Sequence, residues 1–288
     1  MRLVITGAAG MLGQDLAAAA RGAGHDVSAF ARAELDIADG AAVTEALGGV
    51  RADIVVNCAA WTDVDGAERD EQGAMSVNGA GAGNVARAAV ACGAWTIHIS
   101  SDYVFDGSKR SPYVESDAVG PLSAYGRSKL AGEREVAAGA PARHTIVRSS
   151  WLFGAGGPCF PATILRLAGE RDELKVVDDQ IGCPTFTGHL AQALVDLATR
   201  PSPPVGILHV AGGGVCSWYE FAREIVATSG VSCEVRPCTT AEMPRPATRP
   251  AYSVLRSERD SPVLPDWQRG LAEYVAVTRA VTRAVSAR

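Results

Sequence analysis

Three observations predict an α/β fold for this chain. Apolar, strand-like runs alternate with helix-like stretches from Arg2 to about Ser150. A glycine-rich turn, Gly7 to Gly13, separates the first strand from the first helix. The alternation loosens after Trp151. Together they indicate a Rossmann-type, doubly wound parallel sheet with helices on both faces, followed by a smaller C-terminal lobe.

The change in pattern near Trp151 divides the chain into two parts. We assign residues 1–150 to a Rossmann-type domain and residues 151–288 mainly to the smaller lobe. Residues of about 186–212 are expected to return to the main sheet, because Gly206 to Val210 is another apolar strand-like run. Residues 68–92 are expected to form one long helix, and an amphipathic helix is expected from about Trp267.

Composition excludes several classes of function. The net charge of −5 over 288 residues gives no electrostatic footprint for nucleic acid. No apolar run reaches membrane-spanning length, and the N-terminus leads directly into a strand without a signal peptide. The seven cysteines are odd in number and form no Cys-x-x-Cys pair. We therefore expect a cytoplasmic protein with reduced thiols, no zinc site and no membrane partner.

The N-terminal turn carries the first candidate binding site. Gly7, Gly10 and Gly13 fit a tight turn, a close backbone approach to a pyrophosphate and close helix–strand packing. A pyrophosphate would lie at the helix N-terminus, where free N–H groups favour anions. With Met11 and Leu12 between them, these glycines are predicted to bind a dinucleotide cofactor.

Residues that follow the second and third strands add to the predicted cofactor site. Arg32 follows the second strand, where NAD-selective domains usually place an acidic residue, so NADPH is favoured and NADH stays open. Asp36 and Ile37 fall where the adenine edge would lie. Ala59 and Ala60 follow the third strand, and such small residues let the backbone approach the cofactor.

The stretch from Ile99 to Glu133 carries the candidate chemistry. Tyr125 and Lys129 are four residues apart on a predicted helix and therefore share one face. An ammonium group beside a phenol favours the phenolate, so we expect Lys129 to lower the pKa of Tyr125. Ser101, just past the fourth strand, could hydrogen-bond the same substrate oxygen. These residues predict proton transfer to or from a carbonyl or alcohol oxygen.

The order of these signals resembles the short-chain dehydrogenase/reductase superfamily. Further segments are similar to its dTDP-4-dehydrorhamnose reductase branch, and they span nearly the whole chain in family order. They are TGAAGMLG (6–13), NCAAWTDVDGAE (57–68), ISSDYVFDG (99–107), PLSAYGRSKLAGE (121–133), DDQIGCPT (178–185), SWYEFA (217–222) and RPAYSVL (249–255).

This resemblance implies an NADPH-dependent reductase of a dTDP-activated 4-keto-6-deoxysugar. It implies a catalytic trio of Ser101, Tyr125 and Lys129, although the family usually has Thr at the position of Ser101. Asn78 matches a family position that helps to shape the cofactor pocket, where Tyr125 and Lys129 also lie. The positions expected around the substrate are Thr62, Val64, Asp65, Asp102, Val104 and Trp151 for the sugar, and Gln180, Pro184 and Arg249 nearer the nucleotide.

Two alternatives remain open at this stage. One is a nucleotide-sugar epimerase or 4,6-dehydratase, although such dehydratases have Thr-Asp-Glu where this chain has Ser101-Asp102-Tyr103. The other is a non-catalytic NADP-binding regulatory subunit on the same fold. Some family members have a Mg²⁺-bridged dimer contact, for which Asp15 could serve. The sequence around His189 departs from that pattern, so we predict no metal and leave a homodimer open.

Overall fold

A computed structural model describes residues 1–286, with side chains described to residue 279. The strands are β1 Arg2–Thr6, β2 Asp26–Phe30, β3 Ile54–Asn57, β4 Trp95–Ser101, β5 His144–Ser149, β6 Leu152–Phe153, β7 Glu173–Val177, β8 Ile181–Gly182, β9 Thr185–Phe186, β10 Gly206–His209, β11 Cys216–Ser217 and β12 Glu234–Cys238. The α-helices are α1 Met11–Gly22, α2 Gly40–Val50, α3 Val64–Ala67, α4 Glu71–Met75, α5 Ala82–Ala91, α6 Ala124–Gly139, α7 Phe160–Glu170, α8 Thr187–Ala198, α9 Trp218–Ser229 and α10 Trp267–Ser286. A π-helix spans Ser76–Gly81, and 3₁₀ turns span Asp102–Val104 and Thr240–Glu242.

The centre of the molecule is a parallel sheet. Over residues 1–286 it has six strands in the order β10-β5-β4-β3-β1-β2. Helices α1 and α8 pack on one face, and α2 and α5 pack on the other. Chain order reverses at β1, which lies between β2 and β3. In sheets of this kind ligands bind outside the carboxyl ends of the strands at such a reversal. The predicted fold class is confirmed, and the first helix begins at Met11, within the Gly7–Gly13 stretch.

The C-terminal residues build a second, smaller core. β7 and β12 pair in parallel, and α7, α9 and α10 pack around them. Aromatic side chains fill this core: the Phe153 and Phe221 ring centroids are 5.3 Å apart, and Phe221 meets Trp267 edge to face. β10 belongs to the main sheet instead, since it pairs with β5, and α8 packs against α1 on one face of that sheet. No helix within residues 1–286 is both long and apolar enough to cross a bilayer.

The predicted long helix over residues 68–92 is present as a continuous helical segment from Glu71 to Ala91, but it contains a π-helix that was not predicted. The segment is divided into α4, the π-helix and α5, and Asp70 caps the start of α4 by accepting from the Gly73 N–H at 2.8 Å. The π-helix brings the carbonyl of Asn78 close to α6, where a Cβ on Gly132 would lie 2.1 Å from that oxygen. Close packing against α6 therefore requires a residue without a side chain at Gly132. Apolar periodicity contains no signal for that contact.

A buried ion pair joins α6 to the sheet. The Arg148 guanidinium on β5 donates to both carboxylate oxygens of Glu133 on α6, at 2.8 and 2.7 Å. The two side chains are 2 % and 4 % exposed. Ser100 on β4 donates to the same carboxylate at 2.6 Å. The Arg148 guanidinium also lies over the Phe105 ring, 5.0 Å from its centroid. The pair therefore fixes α6 relative to the ends of β4 and β5.

Replacing Arg148 with Met should destabilise the protein by about 3–5 kcal/mol, because it leaves the Glu133 carboxylate buried without its partner. The double variant Arg148→Met/Glu133→Leu should recover most of that loss, because a buried ion pair can often be replaced by apolar side chains. Urea unfolding measures both effects. Arg166→Met, which breaks an exposed pair with Glu170, serves as the control and should change little. A single Arg148→Met variant as stable as the unmodified protein would contradict this account.

Candidate active site

The glycine-rich turn forms an open anion site at the start of α1. Gly7 has a φ of +69°, and a Cβ there would lie 2.5 Å from the Ala59 nitrogen, so only glycine fits. A Cβ on Gly13 would lie 2.4 Å from the Gly7 carbonyl oxygen. Gly10 is the N-cap of α1, and no side chain caps the helix. The first N–H groups of α1 are therefore free of a capping side chain, as an anion site requires.

A cavity of about 260 Å³ runs from this turn to α6. It brings together most of the predicted cofactor residues. Those that line it are Gly7, Gly10, Met11, Leu12, Gly13, Ala60, Tyr125 and Lys129. Ala59 lies behind Gly7, where its backbone sets the close approach described above. Cys58, which the sequence reasoning did not select, also lines this cavity.

Three other predicted cofactor residues lie away from that cavity. The Arg32 guanidinium is exposed and is 3.6 Å from the Asp36 carboxylate one turn later. Ile37 is 2 % exposed and belongs to the core beside α2 and α5. Its side chain therefore cannot contact an adenine ring, which leaves only its backbone for that role.

Asn78 acts on the cofactor cavity through the loop that follows β3. Its Oδ1 accepts from the Trp61 N–H at 2.8 Å, and its Nδ2 donates to the Trp61 carbonyl at 3.0 Å. The same amide donates to the Ser128 hydroxyl on α6 at 2.9 Å. The side chain is 1 % exposed. Asn78 therefore fixes the loop that carries Ala60 and Thr62, and it is not itself part of the cavity wall.

A second cavity, of about 650 Å³, adjoins the first along Met11, Thr62 and Tyr125. Six of the nine predicted substrate residues line it: Thr62, Val64, Asp65, Asp102, Trp151 and Arg249. Ser101 and Tyr125 line it as well. The topology explains this meeting, because β4 and β5 end side by side and Ser101 is in register with Ser149.

Two predicted substrate residues are not in the cleft. Val104 is 0 % exposed and packs with Phe105 and Tyr113 in a separate core cluster. Pro184 is buried, and its carbonyl oxygen would lie 2.1 Å from a Cβ on Gly212. In this structure both residues pack the segments that support the cleft.

Ser101 is held at the end of β4 by local hydrogen bonds. Its hydroxyl oxygen accepts from the Tyr103 N–H at 3.1 Å, and its hydroxyl donates to Asp102 Oδ1 at 3.0 Å. The Tyr103 ring meets the Tyr125 ring edge to face, with centroids 5.7 Å apart. The Ser101 hydroxyl also acts to lower the pKa of the Tyr125 phenol.

The predicted effect of Lys129 on Tyr125 is wrong in this structure. Burial raises the pKa of Tyr125 to about 12; the Ser101 hydrogen bond opposes this rise, and the charge of Asp102 adds to it. Lys129 is 2 % exposed, and its ammonium donates to the Ile99 carbonyl at 2.7 Å. Four-residue spacing gives a shared helix face but does not fix where a long side chain ends. Here desolvation is the larger effect.

Burial also affects Lys129 itself. It lowers the pKa of this ammonium to about 8, although the neighbouring Glu133 carboxylate and the Cys58 thiol act in the opposite direction. Lys129 therefore loses its charge within the range where enzymes are commonly assayed. Below about pH 8 it presents a cation on the wall of the first cavity.

An ion pair crosses the second cavity from one half of the molecule to the other. Arg249 donates to both oxygens of Asp65, at 3.1 and 3.0 Å, and the Ala247 N–H donates to Asp65 at 3.1 Å. Burial alone would raise the pKa of Asp65. The hydrogen bonds from Arg249 and Ala247 and the charges of Arg249 and Arg245 outweigh it and lower the pKa. The pair ties α3 to the proline-rich segment 244–250.

An aromatic stack forms part of the cleft wall. The Trp151 and Trp218 rings are parallel within 4°, with centroids 3.5 Å apart. Trp151 has a φ of +48°, and a Cβ on Gly182 would lie 2.4 Å from its ring. The position of the Trp151 ring therefore requires both a residue without a side chain at Gly182 and a left-handed backbone conformation at Trp151. Trp218 belongs to one of the segments that resemble the reductase family, SWYEFA (217–222), but the sequence contains no signal that it contacts Trp151.

A third cavity, of about 710 Å³, continues from the second along Phe160, Thr163 and Arg249. Gln180 lines it and donates to the Thr240 hydroxyl at 2.9 Å. Four cations lie on its wall: Arg171, Lys175, Arg245 and Arg249. Sequence reasoning missed Phe160 and Thr163, because the loop and helix that carry them contain no recognisable motif.

The other sequence predictions concern thiols and metals. The seven cysteines are all free. The Asp15 carboxylate accepts from the Thr187 hydroxyl at 2.5 Å, and His189 pairs with Glu273 at 2.9 Å. In the described part of the chain, no three His, Cys, Asp or Glu side chains are grouped so that they could hold a metal ion.

The fold and the site together define a class. The cleft lies at the strand reversal and contains a glycine-rich turn at a helix N-terminus. A serine stands at the end of β4, and Tyr125 and Lys129 lie on α6. This is the arrangement of a short-chain dehydrogenase/reductase. The model of the RmlD substrate binding domain family matches residues 1–280. The chain belongs to that family, which confirms the resemblance drawn from its motifs.

Individual proteins support the same assignment. A dTDP-4-dehydrorhamnose reductase of Mycolicibacterium smegmatis is 43 % identical over 288 residues, covering 98 % of this chain and 87 % of that protein. A dTDP-4-keto-6-deoxy-D-glucose reductase of Streptomyces niveus is 42 % identical, with 88 % of each chain covered. The crystal structure of dTDP-4-dehydrorhamnose reductase from Bacillus anthracis in complex with NADP has a TM-score of 0.91 at 37 % identity, covering 95 % of this chain and 98 % of that one.

Replacing Asp65 with Asn should cost about 1–2 kcal/mol of stability at pH 7, because hydrogen bonds to a charged acceptor are lost. The pKa of Asp65 is lowered in the folded protein, so its stabilising effect is full above the ordinary value of 3.8 and disappears as the pH falls below it. Urea unfolding at several pH values should show the two proteins converging in acid. Asp260→Asn, which removes a 93 % exposed partner of Arg200, should change little. A deficit that stays constant down to pH 3 would show that the pair is not the cause.

Proposed function

We propose that this protein reduces the 4-keto group of a dTDP-4-keto-6-deoxyhexose with NADPH. The observation that carries the proposal is the wall shared by the first two cavities. Tyr125 lines both, Ser101 lines the larger one and Lys129 lines the smaller one. A cofactor in the first cavity and a sugar in the second would therefore meet at Tyr125. The names of the reductases similar to this chain support the same substrate class.

The residues of the first cavity fit a reduced nicotinamide dinucleotide. The uncapped N-terminus of α1 suits its pyrophosphate, and Ala60 and Gly7 leave room for backbone approach. Lys129 would hold the nicotinamide ribose. When bound, the cofactor supplies the hydride, and the protein supplies orientation and proton chemistry. The structure of a relative with NADP supports NADPH as the cofactor.

Tyr125 is the proton donor in this proposal. A raised pKa of about 12 keeps the phenol protonated at neutral pH, so it is ready to donate to the C4 oxygen of the sugar. Ser101 would donate a hydrogen bond to the same oxygen as negative charge develops there. Lys129 would stabilise the phenolate that remains. Burial of all three groups strengthens these interactions.

The third cavity suits the nucleotide part of the substrate. Its wall carries four cations beside one carboxylate, Glu173, so its net positive charge suits a diphosphate. Arg249, which is also paired with Asp65, lies where the second and third cavities meet. Gln180 offers amide hydrogen bonds in the same cavity. The free cysteines also agree with the cytoplasmic location that we propose for the reaction.

The site argues against a dehydratase and against a regulatory subunit. A dehydratase needs an acid–base group after Asp102, but the residue there is Tyr103, whose ring packs on Tyr125. A regulatory subunit needs no assembled chemistry, yet Ser101 and Tyr125 line the same cleft of about 650 Å³. Reduction is the function that uses both features.

Replacing Tyr125 with Phe should lower kcat by about 10²–10⁴, because a positioned general acid is lost while the ring and its packing remain. Single-turnover oxidation of NADPH by a dTDP-4-keto-6-deoxyhexose measures the step. Tyr219→Phe, which removes a hydroxyl on α9 away from the three cavities, is the control and should retain activity. Unchanged NADPH oxidation in Tyr125→Phe, with cofactor binding intact, would overturn the mechanism.

Replacing Arg32 with Ala should weaken binding of NADPH more than binding of NADH, because a guanidinium after β2 suits a 2′-phosphate. Its present partner Asp36 is on the surface, so the ion pair is weak and leaves Arg32 available. Fluorescence titration with each cofactor gives the two affinities. Arg269→Ala is the matched control, because it removes another exposed arginine that forms an ion pair with a residue one helical turn away, Glu273. Equal losses for both cofactors would mean that Arg32 does not read the phosphate.

A further inference from the structure

Asp102 is a buried acid in the cleft that the mechanism above does not use. Its side chain is 2 % exposed, although the residue lines the second cavity. Oδ1 accepts the hydrogen bond from Ser101 at 3.0 Å. Oδ2 is buried, and no side chain or backbone group of the described residues makes a well-aligned hydrogen bond to it. An ionised carboxylate with one unpaired buried oxygen is costly, whereas the carbonyl oxygen of a neutral acid is much less so.

The hydrogen bonds of Ser101 show why the ionisation of Asp102 matters. A serine hydroxyl has one proton and two acceptor lone pairs. The Tyr103 N–H already occupies one lone pair, and the single proton points to Asp102. While Asp102 is ionised, it competes with the substrate oxygen for that proton. A neutral Asp102 could instead donate to the second lone pair.

We propose that Asp102 is a positioning residue that works as a neutral carboxylic acid. Its proton is donated to Ser101 Oγ and stays on Asp102, and the proton of Ser101 turns to the C4 oxygen of the sugar. All three hydrogen-bonding positions of Ser101 are then used. This inference rests on the reduction proposed above, and it assigns to Asp102 a role other than direct sugar binding.

The electrostatics of the cleft favour the neutral acid. Burial raises the pKa of Asp102 to about 7, against the lowering effect of the Ser253 and Ser101 hydroxyls. The titratable groups that face it are Tyr103 on its own turn, Tyr125 on α6 and Cys183 after β8. Burial raises the pKa of all three, so they are neutral at pH 7.

The charged side chains of the same cleft are engaged elsewhere. Lys129 donates to the Ile99 carbonyl, and Arg249 is paired with Asp65. An ionised Asp102 would also place negative charge beside the oxygen on which negative charge develops during reduction. A neutral Asp102 avoids that repulsion.

The pH dependence of kcat tests the proposal. For the unmodified enzyme, kcat should fall about tenfold per pH unit above the pKa of Asp102, because only the neutral acid is productive. Asp102→Asn keeps a donor to Ser101 at every pH, so this decline should be absent. Titration of Lys129, whose pKa is about 8, gives a second decline that both proteins should share.

The comparison of variants at about pH 6 separates positioning from sugar binding. Asp102→Asn should lose less than about tenfold in kcat, and Asp102→Leu should lose about tenfold more, the value of one hydrogen bond. KM should stay nearly constant in both. In a Ser101→Ala background, Asp102→Asn should no longer alter the pH profile. A Asp102→Asn variant with a much higher KM, or with kcat reduced more than about 100-fold, would overturn the proposal.

Infrared spectroscopy gives a measurement that does not need turnover. The unmodified protein with NADPH should show the carbonyl band of a protonated carboxylic acid at about pH 6, and the band should vanish at about pH 9. It should be absent from Asp102→Asn at both values. Absence of the band from the unmodified protein would refute the neutral acid. If instead the band is present and no 4-keto sugar is reduced, the proposed function fails and the ionisation state of Asp102 stands.

Discussion

The arrangement of the candidate site depends on one buried ion pair, Arg148 with Glu133. Glu133 is one turn after Lys129 and two turns after Tyr125 on α6, and it also accepts from Ser100, the neighbour of Ser101. The pair thus connects the helix that carries the tyrosine to the strand that carries the serine. A buried charge pair is strongly directional, because either charge alone in that position is costly. It therefore fixes the distance between the two halves of the site.

Desolvation gives the site its second organising constraint. The same burial that requires Arg148 to pair with Glu133 raises the pKa values of Tyr125 and Asp102 and lowers that of Lys129. Each shift favours the uncharged form. Near neutral pH, the cleft therefore favours the protonated forms of the Tyr125 phenol and the Asp102 carboxyl group. Such an environment suits reduction, in which a phenol must give up its proton only as charge develops on the substrate.

The cleft exists because two cores meet along it. The main sheet supplies Ser101 and the helix with Tyr125, and the C-terminal core supplies Trp218 and the wall of the third cavity. The ion pair of Asp65 with Arg249 joins the two parts of the chain, and the stack of Trp151 on Trp218 lies at the edge of the C-terminal core. Both contacts border the second cavity, so the proposed sugar site lies between the main sheet and the C-terminal core.

The sequence alone determined the sheet, the glycine turn and the membership of Ser101, Tyr125 and Lys129 in one site. These follow from local patterns: strand runs, glycines that admit only one backbone path, and a four-residue helical spacing. Tertiary structure decided what the side chains contact. It placed a π-helix around Asn78 within the predicted helix, buried Val104 and Pro184, and turned Lys129 toward Ile99. Those outcomes depend on packing and desolvation between residues distant in sequence, and no local pattern records them.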